Sequence, residues 1–426
     1  MPSIPSSSNL FALVDVNNFY ASCERLFEPR LEGHPVVVLS NNDGCIIARS
    51  QEAKDLGIPM GAAVHKVKDE LRRQRVRVYS SNYALYGDMS ARVVSVLKRF
   101  TPYLEVYSID ESFLDLRGFS DPIAYGHEIK DTVYRWTGLP VSVGIGATKT
   151  LAKVANRTAK KNPNLGCVFA MPGNPDKLLA LLKAEDVWGI GRRLAARLDR
   201  LGITTALDLK RTDPKFIRAR FSVVVERTVL ELRGIPCLAL ETALPPQKGI
   251  MVSRGFGKRV MDYGHIGAAV GTYASRAAEK LRRQGLAANK LTVSLRTSPF
   301  DTTQERYANA ASFVFPEATT DTAEMIRTAR RGLKKIYKPG LAYQKAGVFL
   351  DALEDARLAQ RSLFPSPGVN RPRARALMRA VDRINAAWGR DTVRFAATGT
   401  QRPWAMKQGH KSPCYTTRWQ DIKQVR

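Results

Sequence analysis

The chain has 426 residues, 44% hydrophobic and 25% charged, the balance of a soluble globular protein too long for one compact core. Lys plus Arg number 67 against 39 Asp plus Glu, and the resulting +28 favours a polyanionic partner, with anionic membrane the weaker alternative. No apolar run has bilayer-spanning length, residues 1–9 lack the pattern of a signal peptide, and the five cysteines and five histidines are scattered without metal-ligand spacing, which points away from a membrane span, secretion, a disulfide framework or zinc and toward a reducing cytoplasm.

In chain order, residues 10–16 read as a buried strand ending in Asp15. Residues 36–39 and 45–48 read as short strands in a small, turn-rich region reaching to about Tyr79. Residues 92–100 have helical periodicity. The stretch Ser108-Ile109-Asp110-Glu111-Ser112 is a turn between two apolar strands, 104–107 and 113–116. Residues 121–136 predict a helix, 141–145 a strand and 149–161 a basic helix. Alternating helices and strands predict a sheet backed by helices.

Residues 170–235 are almost all helical in pattern. Gly189-Ile190-Gly191-Arg192-Arg193 predicts a helix-hairpin-helix turn, whose backbone N–H groups suit a phosphate. A tight turn in a helical bundle would read the same way; the arginine pair and the overall charge favour DNA. Residues 236–248 read as a linker. The order β-α-β-β-α-β follows from strands at 251–260, 290–297, 311–315 and 345–350 and helices at 267–283 and 322–337. This module is heavily basic, with Arg254, Lys258 and Arg259 expected to contact DNA and Lys290, Arg296, Lys334 and Lys335 adding to the bias. The tail from 353 is too short for a robust core of its own, so it is expected to dock on a partner; it holds one amphipathic helix around Leu377–Trp388.

The chemistry is expected where Asp15, Asp110 and Glu111 meet. Three carboxylates at one point repel unless cations compensate them. Two Mg²⁺ ions sharing these oxygens, with the Val16 carbonyl, would do so and would act on an in-line phosphoryl displacement. Lys54 on a short helix and Lys160 on the basic helix would neutralise a triphosphate, although either one alone could equally be a solvated helix face.

With these residues assembled, the chain resembles the Y-family (lesion-bypass) DNA polymerases over nearly its whole length. The stretches Asp15-Val16-Asn17-Asn18-Phe19-Tyr20-Ala21-Ser22 and Ser108–Ser112 carry the resemblance. It implies an α/β (α+β, multidomain) right-hand polymerase. The palm would be 1–23 and 80–168, the fingers 24–79, the helix-hairpin-helix thumb 169–235, the linker 236–248, the little finger 249–352 and the tail 353–426. It also implies that Asp15, Asp110 and Glu111 are the metal-binding catalytic acids and that Tyr20 is a steric gate against a 2′-OH. Lys54 and Lys160 would bind the triphosphate, and Gly61 would line an open roof over the nascent pair. Many relatives have Tyr where this chain has Gln51 and Arg where it has Lys54, so the triphosphate contact expected of the fingers lacks the bidentate fork of Arg. Gln360, Leu363 and Phe364 resemble the family's sliding-clamp peptide. The tail resembles a region implicated in binding a cleaved UmuD-like subunit and the RecA filament. The implied function is error-prone translesion synthesis in the SOS response to DNA damage, on primer–template DNA with dNTPs, in the cytoplasm. The alternatives are a non-catalytic DNA-binding repair scaffold or another palm-type nucleotidyl enzyme.

Overall fold

The computed structural model describes residues 9–243, 246–358 and 371–422. Gln360, Leu363 and Phe364 lie outside them. Among the described residues, the chain forms two compact units, one of 9–40, 44–243 and 410–422, the other of 41–43, 246–358 and 371–409.

The strands of the first unit are β1 (Phe11–Val16), β2 (Val36–Leu39), β3 (Ile46–Arg49), β4 (Arg77–Ser80), β5 (Leu104–Val106), β6 (Glu111–Asp115), β7 (Val141–Gly146) and β8 (Val168–Ala170). Its helices are α1 (Phe19–Phe27), α2 (Gln51–Asp55), α3 (Val64–Arg73), α4 (Tyr83–Leu97), α5 (Pro122–Thr137), α6 (Lys149–Lys161), α7 (Asp176–Leu181), α8 (Arg192–Asp199), α9 (Ala206–Arg211), α10 (Pro214–Arg220) and α11 (Val223–Leu232). A five-stranded sheet runs β5-β6-β1-β7-β8, and a smaller one runs β3-β2-β4. Strand β1 is central and covered on both faces, which is why it reads as a continuous apolar run rather than an alternating one. Leu85, Tyr86, Leu97, Leu114, Ile129 and Val143 belong to the core between this sheet and α1, α4 and α5.

The second unit contains β9 (Gly249–Val260), β10 (Leu286–Thr297), β11 (Ala308–Thr319) and β12 (Tyr343–Asp355), with α12 (Tyr263–Arg283), α13 (Thr322–Ile336) and α14 (Arg371–Ala387). Its sheet order is β11-β10-β12-β9, antiparallel throughout. Strand β12 therefore splits the β9-α12-β10 unit. Leu291, Val293 and Leu295 of β10 are buried in the core with α12 and α13. The alternate residues Lys290, Thr292, Ser294 and Arg296 face the other side.

Several expectations change. Helix α4 begins at Tyr83, not Arg92, because Asn82 caps it by accepting the Leu85 N–H. Helix α12 begins at Tyr263, capped by Asp262. Part of the expected linker is tied down: Cys237 and Leu238 donate to Glu231 Oε1 at 2.7 and 3.2 Å, and Glu241 donates to Glu105 Oε2 at 2.7 Å. The described part of the tail also packs on the chain itself. Asp382 of α14 meets Arg282 at 2.7 Å, Asp391 joins Arg276 and Arg402, and Trp404 packs edge-on against Tyr273. A short segment gains a core by borrowing one. No helix among the described residues is long and apolar enough to cross a membrane.

Candidate active site

The antiparallel pairing of β1 with β6 puts Asp15 directly opposite Glu111, and the Val16 N–H donates to the Asp110 carbonyl at 2.9 Å. The hairpin is closed by Ser108, whose Oγ accepts from the Asp110 and Glu111 N–H groups and donates to Asp110 Oδ1 at 2.6 Å. The three acids are therefore neighbours through the backbone. Their side chains, however, turn to different partners. Asp15 meets Lys160 Nζ at 2.6 Å, Glu111 meets Lys153 Nζ at 2.8 Å, and Asp110 takes the serine hydroxyl. Among the described residues no three acidic, His or Cys side chains stand close enough to enclose an ion as arranged. In a chain this basic, each carboxylate has a donor of its own beside it. Burial, opposed by Lys160 and reinforced by Glu111 and Asp110, raises the Asp15 carboxyl to about 6.

Helix α6 supplies both lysines. Lys153 and Lys160 are seven residues apart, hence on one face. Thr148 caps the helix, and Asn156 ties it to the sheet through the Leu13 and Ser142 carbonyls at 3.2 and 2.8 Å. The close approach depends on Gly144 of β7, where a Cβ would lie 2.0 Å from the Asn156 nitrogen. Lys153, Asn156 and Gly144 were not singled out from sequence; the seven-residue spacing from Lys160 was the available signal for Lys153. Its ammonium also sits 4.6 Å from the Tyr107 ring centre and 5.2 Å from that of Trp188.

A cleft of about 870 Å³ is lined by Asp15, Glu111, Lys153 and Lys160 together with Gln51 and Lys54 of α2. Lys54 is exposed, yet desolvation, then repulsion from Lys160 and Arg49, lowers its pKa. Gln51 donates to Asp55 at 2.7 Å. Gly61 is exposed, with a left-handed φ of 78°, and is not in the cleft lining. Tyr20 lies on the first turn of α1 and stacks on Tyr86, ring centres 4.3 Å apart. Burial, then Tyr83 and Asp110, raises its phenol.

Gly189 adopts φ 88°, and Gly191 caps α8 without a side-chain bond, leaving Arg192 and Arg193 exposed. The element before this turn is a single 3₁₀ turn, Ala184–Asp186, rather than a helix. The chain is extended just ahead of it, where Ala184 N–H donates to Thr204 and Ala206 N–H to Leu182, both at 2.8 Å. In the second unit Arg254 shares a sheet side with the buried Ala346 and Leu295. Arg259 is held by Asp301 at 2.5 Å, and Lys258 is exposed. The side turned from the helices bears Lys290, Arg296 and Lys345 instead, the last two directly paired.

Residues 14–157 match the impB/mucB/samB family and 247–363 match the impB/mucB/samB family C-terminal domain. Residues 375–425 match a domain of unknown function (DUF4113). The chain is 48% identical to Protein UmuC of Salmonella typhimurium over 98% of this chain and 100% of that protein. It is 29% identical to DNA polymerase IV of Pelotomaculum thermopropionicum over 91% of this chain and 95% of that one. A Y-family DNA polymerase chimera of Dbh and Dpo4 matches with a TM-score of 0.65 and 21% identity, covering 80% of this chain and 98% of the chimera, a likeness of fold. Full-length identity, family match and architecture agree: the chain belongs to the impB/mucB/samB family of Y-family DNA polymerases.

Proposed function

We propose that this protein carries out error-prone, template-directed synthesis across damaged DNA, and that Asp15, Asp110 and Glu111 are its catalytic acids. The observation that carries the reading is the register that sets Asp15 against Glu111 beside a cleft also lined by Lys54, Lys153, Lys160 and Lys161. The acids, with the Val16 carbonyl, suit two magnesium ions. Every donor is a hard oxygen, and the ammonium groups of Lys160 and Lys153 already stand against two of the carboxylates as cations would. Bound there, the ions would neutralise charge building on the phosphate and activate the attacking hydroxyl.

The remaining work belongs to the chain itself. Lys160 and Lys54 would hold the triphosphate so that the primer 3′-OH meets the α-phosphorus in line, with pyrophosphate leaving. The Tyr20 ring would close the space beneath the sugar against a 2′-OH. Gly61 would lie at the edge of a loosely enclosed nascent pair, and loose enclosure limits discrimination. The Gly189–Arg192 turn, Lys258 and the open face with Lys290, Arg296 and Lys345 would take DNA phosphates, with Arg254 and Arg259 at the margin. The UmuC relationship extends the proposal to an SOS role in the bacterial cytoplasm, with a cleaved UmuD-like subunit and the RecA filament as partners. The clamp would be met through Gln360, Leu363 and Phe364.

Primer extension over a defined abasic site tests this, with Mg²⁺ and dNTPs, with and without clamp, RecA filament and a UmuD-like subunit. Bypass products are expected. Tight primer–template binding without extension under every condition would leave only a DNA-binding scaffold.

A further inference from the structure

The half-exposed gate candidate Tyr20 rests on a fully buried support. Tyr86 of α4 is 0% exposed, and its ring lies nearly parallel to Tyr20, at 15° and 4.3 Å. Its hydroxyl donates to Glu24 Oε1 at 2.6 Å. Glu24 is itself buried, at 2% exposure, and stands one turn after Tyr20 on α1. Tyr86 thus braces α1 twice, through its ring on residue 20 and its hydroxyl on residue 24.

The same Glu24 oxygen accepts a second hydrogen bond, from Ser412 Oγ at 3.0 Å. Ser412 is fixed in turn by Asn82, whose amide donates to the Ser412 Oγ at 3.0 Å and to the Ser412 and Pro413 carbonyls at 3.1 Å. Asn82 caps α4, the helix that carries Tyr86. On either side the segment is pinned. His410 exchanges hydrogen bonds with Ser80 at 3.0 Å each way, and Tyr415 stacks on Phe27 with ring centres 4.9 Å apart. Ser412 falls within the match to a domain of unknown function.

We infer that the segment around Ser412 is part of the sugar-sensing apparatus: Ser412, Glu24 and Tyr86 are positioning residues that hold the Tyr20 ring at the height where it separates a 2′-hydrogen from a 2′-hydroxyl. This rests on the reading of Tyr20 as the gate. A steric filter acting on one oxygen atom tolerates little movement, and a side chain is held to that tolerance only when its supporting shell is itself locked by packing and hydrogen bonds. Ring stacking, a buried hydroxyl–carboxylate bond and a serine delivered from a distant part of the chain supply that lock.

The test is insertion of a dNTP and the matching rNTP by the full chain, on one primer–template, read as the ratio of kcat/KM values. Tyr86→Phe and Ser412→Ala each remove one donor to Glu24 and are expected to lower the preference for dNTP about fivefold, the effect of one hydrogen bond. Glu24→Gln keeps an acceptor oxygen for both donors and is expected to keep the preference. Tyr20→Ala is the reference. If it admits ribonucleotides while Tyr86→Phe and Ser412→Ala leave the ratio unchanged, the support is overturned and the gate stands. Equal loss of both nucleotides in those variants marks a merely structural role and also overturns it. If Tyr20→Ala leaves the ratio unchanged, the gate reading fails and this inference with it.

Discussion

The carboxylate site and the open face of the second unit's sheet are both laid out on antiparallel strands, yet they are specified very differently. At the first, each carboxylate has a named partner. Asp15 has Lys160, Glu111 has Lys153, Asp110 has Ser108, and α6 is drawn against β7 at a glycine. At the second, Lys290, Arg296 and Lys345 stand on one side of a pleat with little more than alternation to place them. Under the proposed function, the difference follows from what each would recognise. A reacting phosphorus needs groups held to a fraction of an ångström, whereas a DNA backbone needs positive charge spread along a surface.

That contrast can be broken by substitution. Asp110→Ala is expected to cut primer extension by at least about a thousandfold while leaving DNA affinity, read by fluorescence anisotropy, nearly intact. Parallel loss of both would make the acid structural. Gly144→Ala should push α6 off the sheet and misplace both lysines, with activity down about a hundredfold and a lower melting temperature. Normal activity would show that the lysine positions are not held by that contact. Lys160→Ala should raise the KM for dNTP about tenfold with little change in DNA binding, measured by steady-state insertion kinetics. The smallest effects belong to the open face. Lys290→Ala, Arg296→Ala and Lys345→Ala should each weaken binding about two- to threefold. Each should also lower the log–log salt slope by about 0.9 for the phosphate contact it removes. A single one of these that abolished binding would mean that this face, too, is a built site.

What could be read in advance follows the same division. The Asp110–Glu111 hairpin and the Asp15 strand stand out because apolar runs flank acids, a local pattern with a plain chemical cost. Helix α6 and helices α12 and α13 of the second unit show their periodicity directly. The start of α4 was missed because Asn82 and the two tyrosines that follow do not announce a helix until the cap is seen. Lys153 looked like any lysine on a basic helix; its role depends on the sheet beneath it. Nothing near Arg259 in the sequence shows that Asp301 will pair with it. That the tail packs on its own chain is hidden from the sequence for a physical reason. Its length argues against an independent core, and a segment without a core can bury its side chains on a partner or on its own chain. Only the fold decides which.

One consequence lies in the order of manufacture. Glu24 and Ser412 are separated by 388 residues. On the ribosome, α1 and α4 emerge early and can pack, but the carboxyl between them lacks its second donor until almost the whole polypeptide has been translated. A message broken off before codon 410 would therefore encode the acids and both lysines of α6 in full, yet leave the wall behind Tyr20 unfinished. If Tyr20 is the gate, such a fragment is expected to separate dNTP from rNTP less sharply than the full chain does.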